Sequence, residues 1–133
     1  MPVRILIVDD HDVVRMGLRA AIGFRHDWEI CGEASDGPDA LAKLNELAPD
    51  VVILDLSLPR VNGFETALEM RRIAPFTKII LFSMHEIPTS ARAAGADAFV
   101  SKIAGIRPLL AWIECLTNPP KQVSTPPIGN TAA

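Results

Sequence analysis

Two adjacent aspartates, Asp9 and Asp10, follow directly on the aliphatic run Ile5, Leu6, Ile7, Val8, and a third, Asp55, follows Val51, Val52, Ile53, Leu54. Like charges at the end of a buried strand repel one another and lose solvation, so they need open water or a cation. Ser83 follows directly on the apolar run 79–82, and Lys102 stands two residues beyond the run 98–100. Taken singly, an aspartate after a strand more often caps the next helix, and a lysine is more often simply solvated. Taken together, the dull explanations weaken. A compact all-oxygen cluster suits Mg2+, which keeps waters that a phosphate can replace. A carboxylate beside such an ion can accept a phosphoryl group, and the charge of the resulting aspartyl-phosphate needs donors already in position. Ser83 and Lys102 are of the right types to supply them.

These residues can meet only if the chain folds so that the ends of its apolar runs share one edge. Five β-rich runs, 3–8, 28–32, 51–54, 78–82 and 98–100, alternate with segments of helical period. Val14, Leu18, Ala21 and Ile22 recur at that spacing, as do Ala40, Leu44, Leu47 and Ala48, then Phe64, Ala67 and Leu68, and last Leu109, Trp112, Ile113 and Leu116. Pro38 suits a helix first turn, Asn62-Gly63 marks a turn before the third helix, and Pro75 follows its end. The pattern predicts an α/β fold, a flavodoxin-like doubly wound five-stranded parallel sheet of order 2-1-3-4-5. Its strands are nearly continuous in apolar residues, as expected where helices cover both faces. With that order strands one and three are neighbours at the point of reversal, and the three carboxylates converge there.

At 133 residues with 49% hydrophobic content the chain has room for one domain with a core. A net charge of −3 with no Lys/Arg cluster argues against holding nucleic acid by general electrostatics. Cys31 and Cys115 lack metal-ligand spacing and read as buried thiols in a reducing cytosol. No stretch approaches the roughly 20 apolar residues of a membrane span, so a cytoplasmic location is expected. From residue 117 the composition changes to TNPPKQVSTPPIGNTAA, with four prolines and few large apolar side chains. It divides the chain into a domain over 1–116 and a Pro-rich disordered tail or linker over 117–133.

The motifs ILIVDD, VVILDLSLPRVNGFE, IILFS and AFVSK, in this order and spacing, resemble the receiver domain of two-component response regulators. DDHDVVRMGL and WEICGEASDG are further similar to the NarL/FixJ-type receivers, which precede a LuxR-type helix-turn-helix. The resemblance implies a phosphorelay module, not an enzyme in the ordinary sense, that accepts a phosphoryl group on Asp55 from a histidine kinase or phosphotransfer protein and assists its own phosphorylation and dephosphorylation. It implies that Asp10, Asp55 and the backbone carbonyl of Ser57 hold Mg2+, with Asp9 assisting through water. Ser83 would contact the phosphoryl oxygens, Lys102 would pair with them, and Phe99 would be the aromatic that changes rotamer on switching. A downstream protein would read the switch, and a homodimer is one possible output; this chain itself would contact neither nucleic acid nor membrane.

The sequence departs from the family pattern between Ser83 and Gly95, where SMHEIPTSARAAG is about one helical turn short. A shortened fourth helix is expected, and Pro88 restricts it further. Met84 is bulkier than the residue usual after the serine; it and His85 are candidates for tuning hydrolysis. Ile103 in place of a proline makes a cis peptide after Lys102 unexpected. The shortened helix also motivates a second reading, a receiver-fold binding module independent of phosphorylation. An aspartyl-phosphate hydrolase of the haloacid-dehalogenase class wants a second Asp two residues after the nucleophile, where this chain has Ser57. A nucleotide-binding flavodoxin-like protein wants a glycine-rich loop after the first strand, which is absent.

Overall fold

The computed structural model describes residues 1–58, 63–84 and 95–118. Within them lie five strands, β1 (Val3–Val8), β2 (Trp28–Ala34), β3 (Val51–Leu54), β4 (Lys78–Ser83) and β5 (Ala98–Ser101). The helices described are α1 (Asp12–Gly23), α2 (Gly37–Leu47), α3 (Gly63–Ile73) and α4 (Ile106–Thr117), with a short 3-10 turn at Lys102–Ala104. All strand pairs are parallel, and the order is β2-β1-β3-β4-β5, as expected. The shortened fourth helix, with Pro88 and His85, falls in 85–94, outside the described residues, as does Asn62; α4 here is the helix after β5.

Alternation along the strands divides the core in two. Leu6, Val8, Val52, Leu54, Ile79 and Leu81 face α2 and α3, where Ala40, Leu44, Ala67 and Met70 complete a buried cluster. Ile5, Ile7, Val51, Ile53, Ile80 and Phe82 face the other way, toward Leu18 and Ile22 of α1 and Leu109 and Ile113 of α4. Burial on both faces is why these strands are apolar throughout, and each fully buried Leu, Ile or Val contributes about 1.5–3 kcal/mol.

Local signals set the helix ends. The Asp36 side chain accepts from the Asp39 N–H at 2.9 Å, and Pro38 sits in the first turn of α2. Ala48 ends α2 in a left-handed conformation, φ 47°, so it closes the helix instead of extending its apolar face. Three of the periodic residues, Ala48, Leu68 and Trp112, are exposed instead of covered, and Val14, Ala21, Leu47, Phe64 and Leu116 are only half-buried. Cys31 is half-buried but Cys115 is exposed on α4, which corrects the reading of both thiols as buried. α4 runs to Thr117, one residue beyond the domain boundary drawn at 116, and the Asn118 N–H closes it on the Glu114 carbonyl at 2.8 Å. No cis peptide is present among the described residues, and no helix among them is long and apolar enough to cross a membrane.

Candidate functional site

The ladder itself delivers the carboxylates to one edge. β1 and β3 pair from Ile5 with Val51 to Val8 with Leu54, so both strands stop level. The Asp55 N–H then donates to the Val8 carbonyl at 2.9 Å, and the Asp9 N–H to the Ala34 carbonyl of β2 at 3.0 Å. Both aspartate side chains are buried to 3% exposure, whereas Asp10, one residue on, is exposed. Behind Asp55 the backbone is crowded: a Cβ on Gly63 would lie 2.5 Å from the Asp55 carbonyl oxygen. Only glycine lets α3 begin that close to the end of β3.

Lys102, its side chain 7% exposed, reaches across from the end of β5, and its ammonium lies 2.6 Å from Asp9 Oδ2 and 3.5 Å from Asp55 Oδ1. Asp55 Oδ1 also accepts from the Ser57 N–H at 3.2 Å, while Oδ2 is buried with no hydrogen-bond donor among the described residues. Burial, followed by the charge of Asp9, pushes the Asp55 carboxyl above the usual carboxylate range; Lys102 and the Ser57 N–H oppose the shift without reversing it, and Asp10 adds to it. One ammonium shared between two buried carboxylates leaves negative charge uncompensated.

Ligand atoms of Asp9, Asp10, His11 and Asp55 all lie within 4.8 Å of one another. Such convergence of oxygens at a buried, partly unpaired carboxylate fits a divalent cation, and the set is of the oxygen-rich kind that Mg2+ takes. When bound, the ion would neutralise the cluster and offer replaceable waters to a phosphate. The expected meeting of Asp9, Asp10 and Asp55 is thus observed. Ser83 is wholly buried at the end of β4, two residues past Leu81, which pairs with Leu54 at the end of β3; it therefore stands on the same edge. Phe99 is half-buried, pairs with Leu81 and packs against the α2/α3 face. Met84 is 55% exposed and lines an apolar groove of about 320 Å³ with Val13, Val14, Lys102 and Ile106.

Two residues of this edge were not anticipated. His11 is drawn into the cluster, its Nδ1 lying 3.0 Å from Asp9 Oδ1 and 3.1 Å from Asp10 Oδ1. Arg15 braces the same loop, donating to the Asp9 carbonyl, to Asp12 and, at 3.1 Å, to Glu33 Oε1. The signal was present in DDHDVVR: His11 is next to the pair, and Arg15 is one helical turn beyond it.

The family model of the response regulator receiver domain matches residues 5–114. Among curated relatives, the response regulator GacA of Pseudomonas viridiflava is 33% identical over 114 residues, 84% of this chain and 53% of that protein. The response regulator protein VraR of Staphylococcus epidermidis is 33% identical over 105 residues, 77% of this chain and 50% of that protein. The chain therefore spans about half the length of the curated relatives it matches. Among solved structures, a LuxR-family two-component response regulator from Aurantimonas sp. superposes with a TM-score of 0.82 at 34% identity, covering 87% of this chain and 85% of that one. The signal receiver domain of the putative response regulator NarL from Mycobacterium tuberculosis gives 0.79 at 30% identity, covering 88% and 98%. The family match runs from within β1 nearly to the end of α4 and encloses every residue of the acidic cluster, and the chain belongs to the response regulator receiver domain family.

Proposed function

We propose that this domain is the phosphoacceptor of a phosphorelay, taking a phosphoryl group onto Asp55 with Mg2+ held at the acidic edge. The observation that carries the reading is the state of Asp55: a carboxylate with one buried oxygen lacking a donor among the described residues, flanked by acidic groups able to hold a cation and by an ammonium. Asp10, Asp55 and the Ser57 carbonyl hold the ion in this reading, with Asp9 acting through water. The transfer forms an Asp55 Oδ–P bond as the bond from phosphorus to its donor breaks, and the donor's leaving group departs with its electron pair. Lys102, already 3.5 Å from Asp55, pairs with the phosphoryl oxygens, and Ser83 donates to them. The domain thus assists its own modification through fixed charges. Phe99 follows Ser83 as the switch, and Met84 and His85 tune how long the acyl phosphate lasts.

The donor is a sensor histidine kinase or phosphotransfer protein, and the switch is read by a downstream protein or a second copy of the chain. The domain works in the cytoplasm without contacting nucleic acid or membrane; the Pro-rich tail or linker expected over 117–133 begins after α4, and 119–133 lie outside the described residues. The test is to incubate the full chain with Mg2+ and a small phosphodonor and measure intact mass. One hydroxylamine-sensitive phosphate is expected on the parent and none on Asp55→Asn or in the presence of a chelator. An unmodified parent would favour the binding-module reading.

A further inference from the structure

We propose that Arg15 is a positioning residue for the phosphoacceptor site: braced by Glu33, its guanidinium fixes the peptide between Asp9 and Asp10 and so sets the direction in which Asp10 meets the cation. The inference rests on the Mg2+ reading given above and names what holds that site in shape.

The geometry starts from the turn that follows β1. The Asp9 N–H is bonded to the Ala34 carbonyl of β2 at 3.0 Å, and the Asp9 carbonyl accepts from Arg15 Nη1. A peptide unit is planar, so holding its oxygen fixes where the next Cα lies. Here that Cα belongs to Asp10, whose side chain, 32% exposed, is not fixed by burial as those of Asp9 and Asp55 are.

The guanidinium is fixed in its turn. Its Nε donates to Glu33 Oε1 at 3.1 Å and its Nη2 to Asp12, so each of its three nitrogens has a different acceptor. Glu33 stands in β2 opposite Ile7 of β1, and Arg19 donates to its other oxygen at 2.7 Å. Side-chain exposures of 17% for Arg15 and 22% for Glu33 set the pair apart from fully solvated ion pairs, which contribute little. A flat, forked donor suits this task, whereas an ammonium is a point charge that cannot serve three divergent acceptors in one plane.

Charge and position make opposite predictions. Arg15 is a cation beside a site for a cation, so on charge alone its loss would tighten Mg2+ binding. As a positioning residue, its loss must weaken that binding.

The test uses the full chain at a temperature where urea melts show each variant folded. Mg2+ affinity is taken by calorimetry, and the rate of Asp55 phosphorylation by acetyl phosphate from intact mass. Arg15→Met and Arg15→Lys should each weaken Mg2+ binding about 10–100-fold, as loss of a residue that orients a metal ligand does. The double variant Arg15→Met/Glu33→Leu has the net charge of the parent and should bind no more tightly than Arg15→Met, because the two residues act as one unit. Saturating Mg2+ draws Asp10 back into place, so the phosphorylation rate of the variants should then return to within about threefold of the parent. Unchanged or tighter binding by Arg15→Met overturns the proposal, as does parental affinity in Arg15→Lys or in the double variant. A rate that stays low at saturating Mg2+ overturns it too, since Arg15 would then act on the transfer itself. Should Arg15→Met not fold, Arg15→Lys and the double variant decide by the same outcomes. If the parent binds no Mg2+, the cation-site reading fails and takes this inference with it.

Discussion

Asp55 is held in a state that the fold alone does not favour. Its carboxyl is pushed above the usual range by burial and then by Asp9. The folded chain therefore holds that proton more tightly than the unfolded chain. In the absence of a divalent ion, Asp55 lowers stability as the pH rises from the ordinary carboxylate pKa through the raised folded value. Asp55→Asn removes this titration and should melt a few degrees above the parent at neutral pH in a chelator. The two should converge at acid pH, where both side chains are neutral. Thermal melts of the pair between about pH 3 and 8 read the difference directly, since every other group titrates in both. Added Mg2+ should raise the parent's melting temperature more than the variant's. A variant less stable than the parent at neutral pH would show that Lys102 compensates Asp55 fully.

At the scale of elements, the site depends on how tightly α3 is seated behind β3. A Cβ at Gly63 would lie 2.5 Å from the Asp55 carbonyl oxygen and 2.6 Å from the Leu56 Cα, both backbone atoms that cannot rotate aside. The Gly63 N–H also donates to the Leu56 carbonyl at 2.9 Å, so the helix cannot retreat without losing that bond. Gly63→Ala should cost about 1–3 kcal/mol in urea unfolding despite the better helix propensity of alanine, and should weaken Mg2+ binding as Asp55 is displaced. Such a close approach was legible only as a turn signal in Asn62-Gly63. The strands were more readable, because burial on both faces forces continuous Ile, Val and Leu, and the runs 3–8 and 51–54 coincide with β1 and β3. β2 extends two residues further, to Ala34, through Glu33, whose charge breaks an apolar pattern but is met by Arg15 and Arg19. Helical period marked which positions share a face and not how far a neighbour covers that face, which is why Leu68 and Trp112 are exposed.

At the scale of the molecule, the carboxylates were legible because parallel topology sends every strand end to one edge, a consequence of order that needs no side-chain detail. The pairing of their charges was less so. In the structure Lys102 is bonded first to Asp9, 93 positions earlier in the chain, and only more distantly to Asp55. It thereby joins the end of β5 to the ends of β1 and β3, and β4 lies between. Removing one partner from a buried pair leaves the other charge uncompensated, which typically costs about 3–5 kcal/mol, a large part of the roughly 5–15 kcal/mol that stabilises a domain. Lys102→Met keeps the aliphatic stem and should therefore lower stability by about that amount in chelator. On the proposed cation-site reading a divalent ion would substitute for the missing charge, and binding only to the folded state at a hundredfold excess over Kd would return about 2.7 kcal/mol. Urea melts of Lys102→Met with and without Mg2+ should show a large loss that the ion partly repairs. A variant that is destabilised equally with and without the ion would mean that Lys102 acts by packing against Phe82, whose ring centre is 5.7 Å from its ammonium, and that charge balance at this edge is not what joins the strands.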